Sequence, residues 1–186
     1  MGTTMEPPRR IEQAFLHLTF SIKLFEYFRK NLVPKDAFDC VIVIPTPHGA
    51  HRIEADVFHT PHDLVLAAEN SYSTALGVCA IAMEAALADA EIANSAHDMS
   101  ERGQLRSFVY QIRNAFAHDS MLPKWAPKGA YRKAYDLRPF GVTGPIDLAM
   151  LDGTLLNLDH LGGMPGLEAI RDAVVRWVTT GTPAIP

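Results

Sequence analysis

Arg113-Asn114-Ala115-Phe116-Ala117-His118 places a guanidinium, an amide and an imidazole within six residues. Together these groups suit phosphoryl chemistry. A guanidinium is a planar, permanently charged fork that matches phosphate oxygens. Imidazole exchanges a proton near neutral pH and serves as general acid or base. An amide between them can orient the imidazole or a sugar hydroxyl. Arg113, Asn114 and His118 are therefore the candidate catalytic residues. The segment that follows is basic, with Lys124, Lys128, Arg132, Lys133 and Arg138 against Asp136 alone, and Trp125, Tyr131 and Tyr135 are interleaved. Cations among aromatic rings suit a single RNA strand, its phosphates neutralised and its bases stacked. Lys124, Lys128, Arg132 and Lys133 are the candidate RNA contacts; a solvated loop and strand face accounts for the same residues.

Two other groups invite chemistry. His48, His51, His59 and His62 form two His-x-x-His pairs. Imidazoles ligate zinc, copper or nickel, but no cysteine pattern joins these four, and turn and helix-start positions explain them. No metal site and no cofactor is expected. Cys40 and Cys79 lie far apart among apolar neighbours and read as buried free thiols. His160 is assigned no role.

The elements that position the motif follow from periodicity. Ile11, Ala14, Phe15, Leu18, Ile22, Phe25 and Phe28 recur at helical spacing, predicting a first helix over 9–30. The β-branched run 38–44 and the alternation of Ile53, Ala55 and Val57, separated by Pro45 to Ala50, predict a hairpin inserted at about 36–58. Thr60-Pro61-His62-Asp63 opens an alanine-rich helix reaching about Ala93. Asp98-Met99-Ser100-Glu101 reads as another capping box, opening a third helix that extends to about His118. Tyr131 to Leu137 reads as a strand, and Asp152-Gly153 between apolar runs predicts a second hairpin at about 146–158. Pro165 opens a last helix with Gly181 as its stop.

On the third helix, Leu105, Val109, Ile112 and Phe116 fall within about a 60° arc and form the core stripe. Arg102, Arg106 and Arg113 lie along one flank, Ser107, Gln111 and His118 along the other, and Asn114 opposite the core. At four residues' separation Asn114 and His118 can meet. Arg113 and His118 point to either side of Asn114, so a working site is expected to need two chains.

The 186 residues are 48% hydrophobic and 20% charged, with formal net charge −4. That composition supports a proper core and suits a single domain over 9–186 behind a floppy polar tail at 1–8. The acidic balance argues against a protein that coats nucleic acid over its whole surface and leaves room for a local basic patch. No apolar run approaches the roughly 20 residues of a membrane span, and the N-terminus lacks a signal-peptide core. A cytoplasmic protein without membrane attachment is expected.

Arg113-Asn114 followed by His118, near the end of a core helix, resembles the signature of the HEPN superfamily: arginine, four to six residues, then histidine, with a polar residue often after the arginine. The stretch Gln111 to Asp119 is similar to stand-alone bacterial and plasmid-borne members. The resemblance covers about ten residues. It implies a mainly α, HEPN-like bundle of four or five helices, here carrying two small β-hairpins. It also implies metal-independent cleavage of RNA, in which the 2′-hydroxyl attacks the adjacent phosphorus and leaves a cyclic phosphate. Active members are generally homodimers with facing motifs, and toxin–antitoxin or phage and plasmid conflict is the implied setting, with an antitoxin as possible partner. A HEPN domain that no longer cleaves, serving as an interaction or nucleotide- or RNA-binding module, fits the same residues.

Overall fold

The computed structural model describes residues 6–180. The chain is mainly helical with two small antiparallel two-stranded sheets, as the sequence leads one to expect. It divides into two compact units. Of the described residues, one comprises 17–72, and the other combines 6–16 with 73–180. The expected stop at Gly181 and the first five residues of the expected tail lie outside the described residues.

Helix α1 (Pro7–Arg29) begins inside the expected tail, in the larger unit, and its residues from His17 onward belong to the smaller one. Two prolines fit there because first-turn N–H groups have no helical acceptor to lose. The helix ends on Asn31, whose φ of 52° lets Leu32 N–H reach back to Tyr27 O at 2.9 Å. The expected strand start at Phe38 is overturned: Lys35–Phe38 form a short turn of helix, α2, and β1 (Ile42–Thr46) begins later. Lys35 donates to Asp39 at 2.8 Å, which together with burial-opposed backbone donation from Val57 fixes that turn. Phe38 packs edge-on against Phe28, ring centroids 5.2 Å apart. Strand β2 (Gly49–Ile53) pairs antiparallel with β1 through a two-residue loop, in the register Ile42↔Ile53 and Thr46↔Gly49. Every residue of both strands is exposed. The unit's core is Phe28, Leu64 and Ala68, flanked by Leu24, Phe25, Val33, Phe58 and Val65.

Helix α3 (Pro61–Asp89) opens as its cap predicts. Thr60 N–H donates to Asp63 Oδ2 at 2.7 Å and Asp63 N–H donates to Thr60 Oγ1 at 3.3 Å. This helix is long and apolar enough to cross a membrane, with a window of mean hydropathy 1.3 of which 44% is buried inside the protein. The expectation of no such segment therefore does not hold on length and composition; abundant alanine raises the hydropathy without any long run of large side chains.

The larger unit is built on α4 (Glu101–Ala115). Its cap is Ser100 rather than Asp98: Gly103 N–H donates to Ser100 Oγ at 3.1 Å, while Asp98 accepts from both the hydroxyl and the N–H of Ser100. Gly103 is buried in the first turn, where a Cβ would run into the Asp98 side chain. Leu105, Val109, Ile112 and Phe116 are all buried, as the helix wheel requires. They join Leu76, Met83 and Leu87 of α3 and Leu167, Ile170, Val174 and Trp177 of α6 (Gly163–Thr180) in the buried set.

The C-terminal half corrects two expectations. Strand β3 (Ala134–Tyr135) pairs with β4 (Ile146–Asp147), so the partner of 146–147 lies upstream, not across Asp152-Gly153. Residues Leu148–Leu151 are helical (α5), initiated by Asp147 Oδ1 accepting from Ala149 N–H at 2.9 Å. The turn at Gly153 does form, with φ of 78°. It returns the chain so that Leu155 bridges Lys124, and no hairpin spans 146–158. Cys79 is buried as expected, whereas Cys40 is exposed, since its neighbours sit on the solvated hairpin.

Candidate nucleotide and phosphate cleft

Helix α4 stops earlier than its sequence suggests, and that early stop creates the site. Phe116 N–H turns back to Arg113 O and Ala117 N–H to Asn114 O, a tightened last turn. The Ala115 carbonyl, left without a helical donor, accepts from Lys124 N–H at 3.2 Å. Phe116 plugs the core against α3 at Gly77, where a Cβ would meet its ring at 2.9 Å. Ala117 and His118 therefore lie beyond the helix and are exposed.

The loop is tied at both sides. Asp119 Oδ1 accepts from the backbone N–H groups of Met121 and Leu122, each at 2.9 Å. Those two amides hold its carboxyl below the ordinary carboxylate range. Ser73 of α3 donates to Ser120 O at 2.9 Å. Beyond Pro123 the chain runs antiparallel to 153–156, with Trp125 N–H on Thr154 O and Leu156 N–H on Pro123 O. Trp125 is buried, and its indole N–H donates to His160 Nδ1 at 3.0 Å. His160 thus has a structural role.

A cleft of about 400 Å3 results, lined by Tyr110, Gln111, Arg113, Asn114, Ala117, His118, Ala126, Lys128 and Tyr131. All three candidate catalytic residues line it, together with Lys128. The helix wheel that set Arg113 and His118 on either side of Asn114 assumed helix through residue 118; the chain leaves the helix at Ala115, and both residues line this cleft. Arg113 Nη1 donates to Asn114 Oδ1 at 3.3 Å, which leaves the Asn114 amino group free to donate. Tyr110 and Tyr131 form an aromatic wall, ring centroids 5.4 Å apart and planes inclined by 41°. Burial, reinforced by Tyr110 alongside, pushes the Tyr131 phenol up and keeps it neutral.

The remaining basic candidates are placed elsewhere. Lys124 is exposed but does not line the cleft. Arg132 pairs with Asp152 at 3.3 Å. Lys133 is half-buried, its ammonium donating to Ala96 O at 2.6 Å, and desolvation pulls it below the ordinary lysine value. Arg138 closes on Asp136 at 2.6 Å. Trp125 and Tyr135 are core residues, not stacking platforms, because the pairing of 124 with 155 and of 135 with 146 turns them inward. Tyr110 and Gln111 line the cleft although neither was singled out from the sequence. The signal was present, since residues three and four before Asn114 share its side of a helix.

His48, His51, His59 and His62 are all exposed, the first two on the hairpin and the others at the approach to α3 and in its first turn. No group of three or more metal-ligating side chains converges among the described residues. Comparison of the chain with family models, with curated proteins and with solved structures finds no match.

Proposed function

We propose that the protein is a HEPN-type endoribonuclease that cleaves single-stranded RNA in the α4 cleft without a metal ion, acting as a homodimer. The observation that carries this reading is the convergence of Arg113, Asn114, His118 and Lys128 on one cleft of nucleotide size. Arg113 and Lys128 would sit on the phosphate oxygens, countering the charge that builds on the phosphorane. In the reaction the O2′–P bond forms and the P–O5′ bond breaks. The 2′-hydroxyl proton passes to a base, and the leaving O5′ takes a proton from an acid. His118 fills one of those roles, with Asn114 placed to hold the sugar or the ring. A second His118, from a facing copy related by a two-fold axis, fills the other.

The test is incubation of mixed single-stranded RNAs with the protein in chelator, beside His118→Ala. Cyclic-phosphate ends made by the first and not the second support the reading. RNA left intact by both defeats it. A second reading, a HEPN module that binds without cleaving, is favoured by the single imidazole among the residues lining each cleft. It predicts bound, uncut RNA in the same assay.

A further inference from the structure

Buried polar side chains find partners, because an unpaired buried donor or acceptor is costly. Among the described residues, the buried polar and charged ones are Ser21, Arg106, Ser107 and Gln111. Ser21 meets Ser71 at 3.2 Å, Arg106 is held by Glu84 and by Ile92 O, and Ser107 is held by Asn94 and Ser95 O. Gln111 is 3% exposed and lines the cleft; its amide makes no hydrogen bond among the described residues, yet unlike the fully enclosed Arg10 Nε and Trp177 Nε1, which also lack partners, it keeps an opening, and the cleft is where it can find one. It sits on the second-to-last turn of α4, where no requirement of the fold calls for an amide. An alanine or leucine would serve the core there and leave nothing unpaired.

We infer that Gln111, with the Tyr110 and Tyr131 rings, forms a subsite for an adenine base whose attached phosphate lies on Arg113 and Lys128. A glutamine amide offers an acceptor beside a donor, the pattern that pairs with the amino group and ring nitrogen of adenine. The tyrosine wall supplies the stacking surface, and a purine covers more of it than a pyrimidine. A cleft of about 400 Å3 is at the small end of ligand sites and takes one nucleotide. The adenine belongs either to an RNA strand or to a free nucleotide. This inference rests on the nucleotide-binding half of the proposed function and not on cleavage.

The full-length protein is titrated by fluorescence anisotropy with labelled 2′-fluoro hexamers, which lack the attacking hydroxyl. One is all uridine; the others carry a single adenosine, guanosine or cytidine at the third position. The adenosine hexamer is expected to bind about tenfold tighter than the uridine hexamer, within the range that one good bidentate pair supplies. In Gln111→Met, which keeps the shape and removes the amide, that preference for adenosine over uridine is expected to vanish. Should Gln111→Met fail to fold by circular dichroism, Tyr131→Ala and Tyr131→Phe replace it: the first is expected to weaken adenosine binding about tenfold, and the second to keep it. Equal binding of all four hexamers overturns the inference, as does a Gln111→Met protein that keeps the preference. Adenosine 3′-monophosphate is the free-nucleotide arm. Its Gln111-dependent binding without RNA binding supports the subsite and defeats the ribonuclease reading, and absence of binding to every probe defeats both. Adenosine preference with uncut natural RNA leaves the subsite standing and defeats cleavage alone.

Discussion

The two ends of α4 use similar side chains in opposite ways. At its start, Ser100 caps the helix, Gln104 Oε1 accepts from Asp136 N–H at 2.8 Å, and Arg106 is bidentate with Glu84. Two turns on, Arg113 is exposed and reaches only its neighbour Asn114, and Gln111 reaches nothing among the described residues. One arginine and one glutamine are absorbed by the fold at the first end; one of each faces a cleft at the second. Residue type alone does not mark a site. What marks it is whether the fold has already satisfied the group.

This comparison breaks most visibly at Arg106. Its side chain is 5% exposed and that of Glu84 18%. Arg106→Ala leaves the half-buried Glu84 carboxylate and Ile92 O without their partner and is expected to cost about 2–4 kcal/mol in chemical denaturation, somewhat less than for a fully buried pair. A loss under 1 kcal/mol would place Arg106 in the same class as Arg113. The converse experiment is His118→Ala or Arg113→Ala, both exposed. Stability should stay within about 0.5 kcal/mol, since surface substitutions rarely exceed it. On the proposed ribonuclease reading, RNA cleavage should fall by roughly 10²- to 10⁴-fold for His118→Ala, the usual contribution of a positioned acid–base group, and by roughly 10²- to 10³-fold for Arg113→Ala, as on loss of one donor to the developing charge. Parallel losses of stability and activity would contradict the assignment of these residues to the cleft.

Asp119 sharpens the same contrast more gently. Because its folded pKa is lowered, its hold on the Met121 and Leu122 amides is fully present above the ordinary carboxylate value, and is lost as pH falls through the lowered one. Amide shifts of Met121 and Leu122 should move together in an acid titration, and Asp119→Ala should slow cleavage several-fold by loosening the loop that carries His118. Independent titration of the two amides would sink this account. The mildest effect is at cysteine. Burial pushes the Cys79 thiol up to about 12 from an ordinary 9.0. Its neutral form stabilises the fold below the ordinary value, and that contribution is lost as pH climbs toward the raised one. At pH 8 an alkylating reagent should label Cys40 alone in the native chain and both thiols after denaturation; native labelling of both would refute the burial of Cys79.

The helical framework was legible because it is written locally. The stripe Leu105, Val109, Ile112, Phe116 and the Thr60–Asp63 cap each need only a few residues to specify. The helix end at Ala115 was not legible, because it depends on Lys124 N–H supplying the Ala115 carbonyl from outside the helix. The same holds for Trp125 and Tyr135, whose alternation with lysines looks like a nucleic-acid face until distant residues 155 and 146 pair beside them. Arg113, Asn114, His118 and Lys128 were found by chemical type. Gln111 was passed over because an unpaired amide is a property of surroundings and not of sequence.

The cap of α4 has a consequence for how this sequence can vary. Gly103 leaves room for the Asp98 side chain that fixes Ser100. Any residue larger than glycine at 103 displaces Asp98, and losing Asp98 removes the tightest obstacle to a better helix former at 103. The two positions form a lock that opens only when both change. Among descendants of this chain, an alanine at 103 should travel with a small residue at 98, and the double variant should be more stable than either single one predicts.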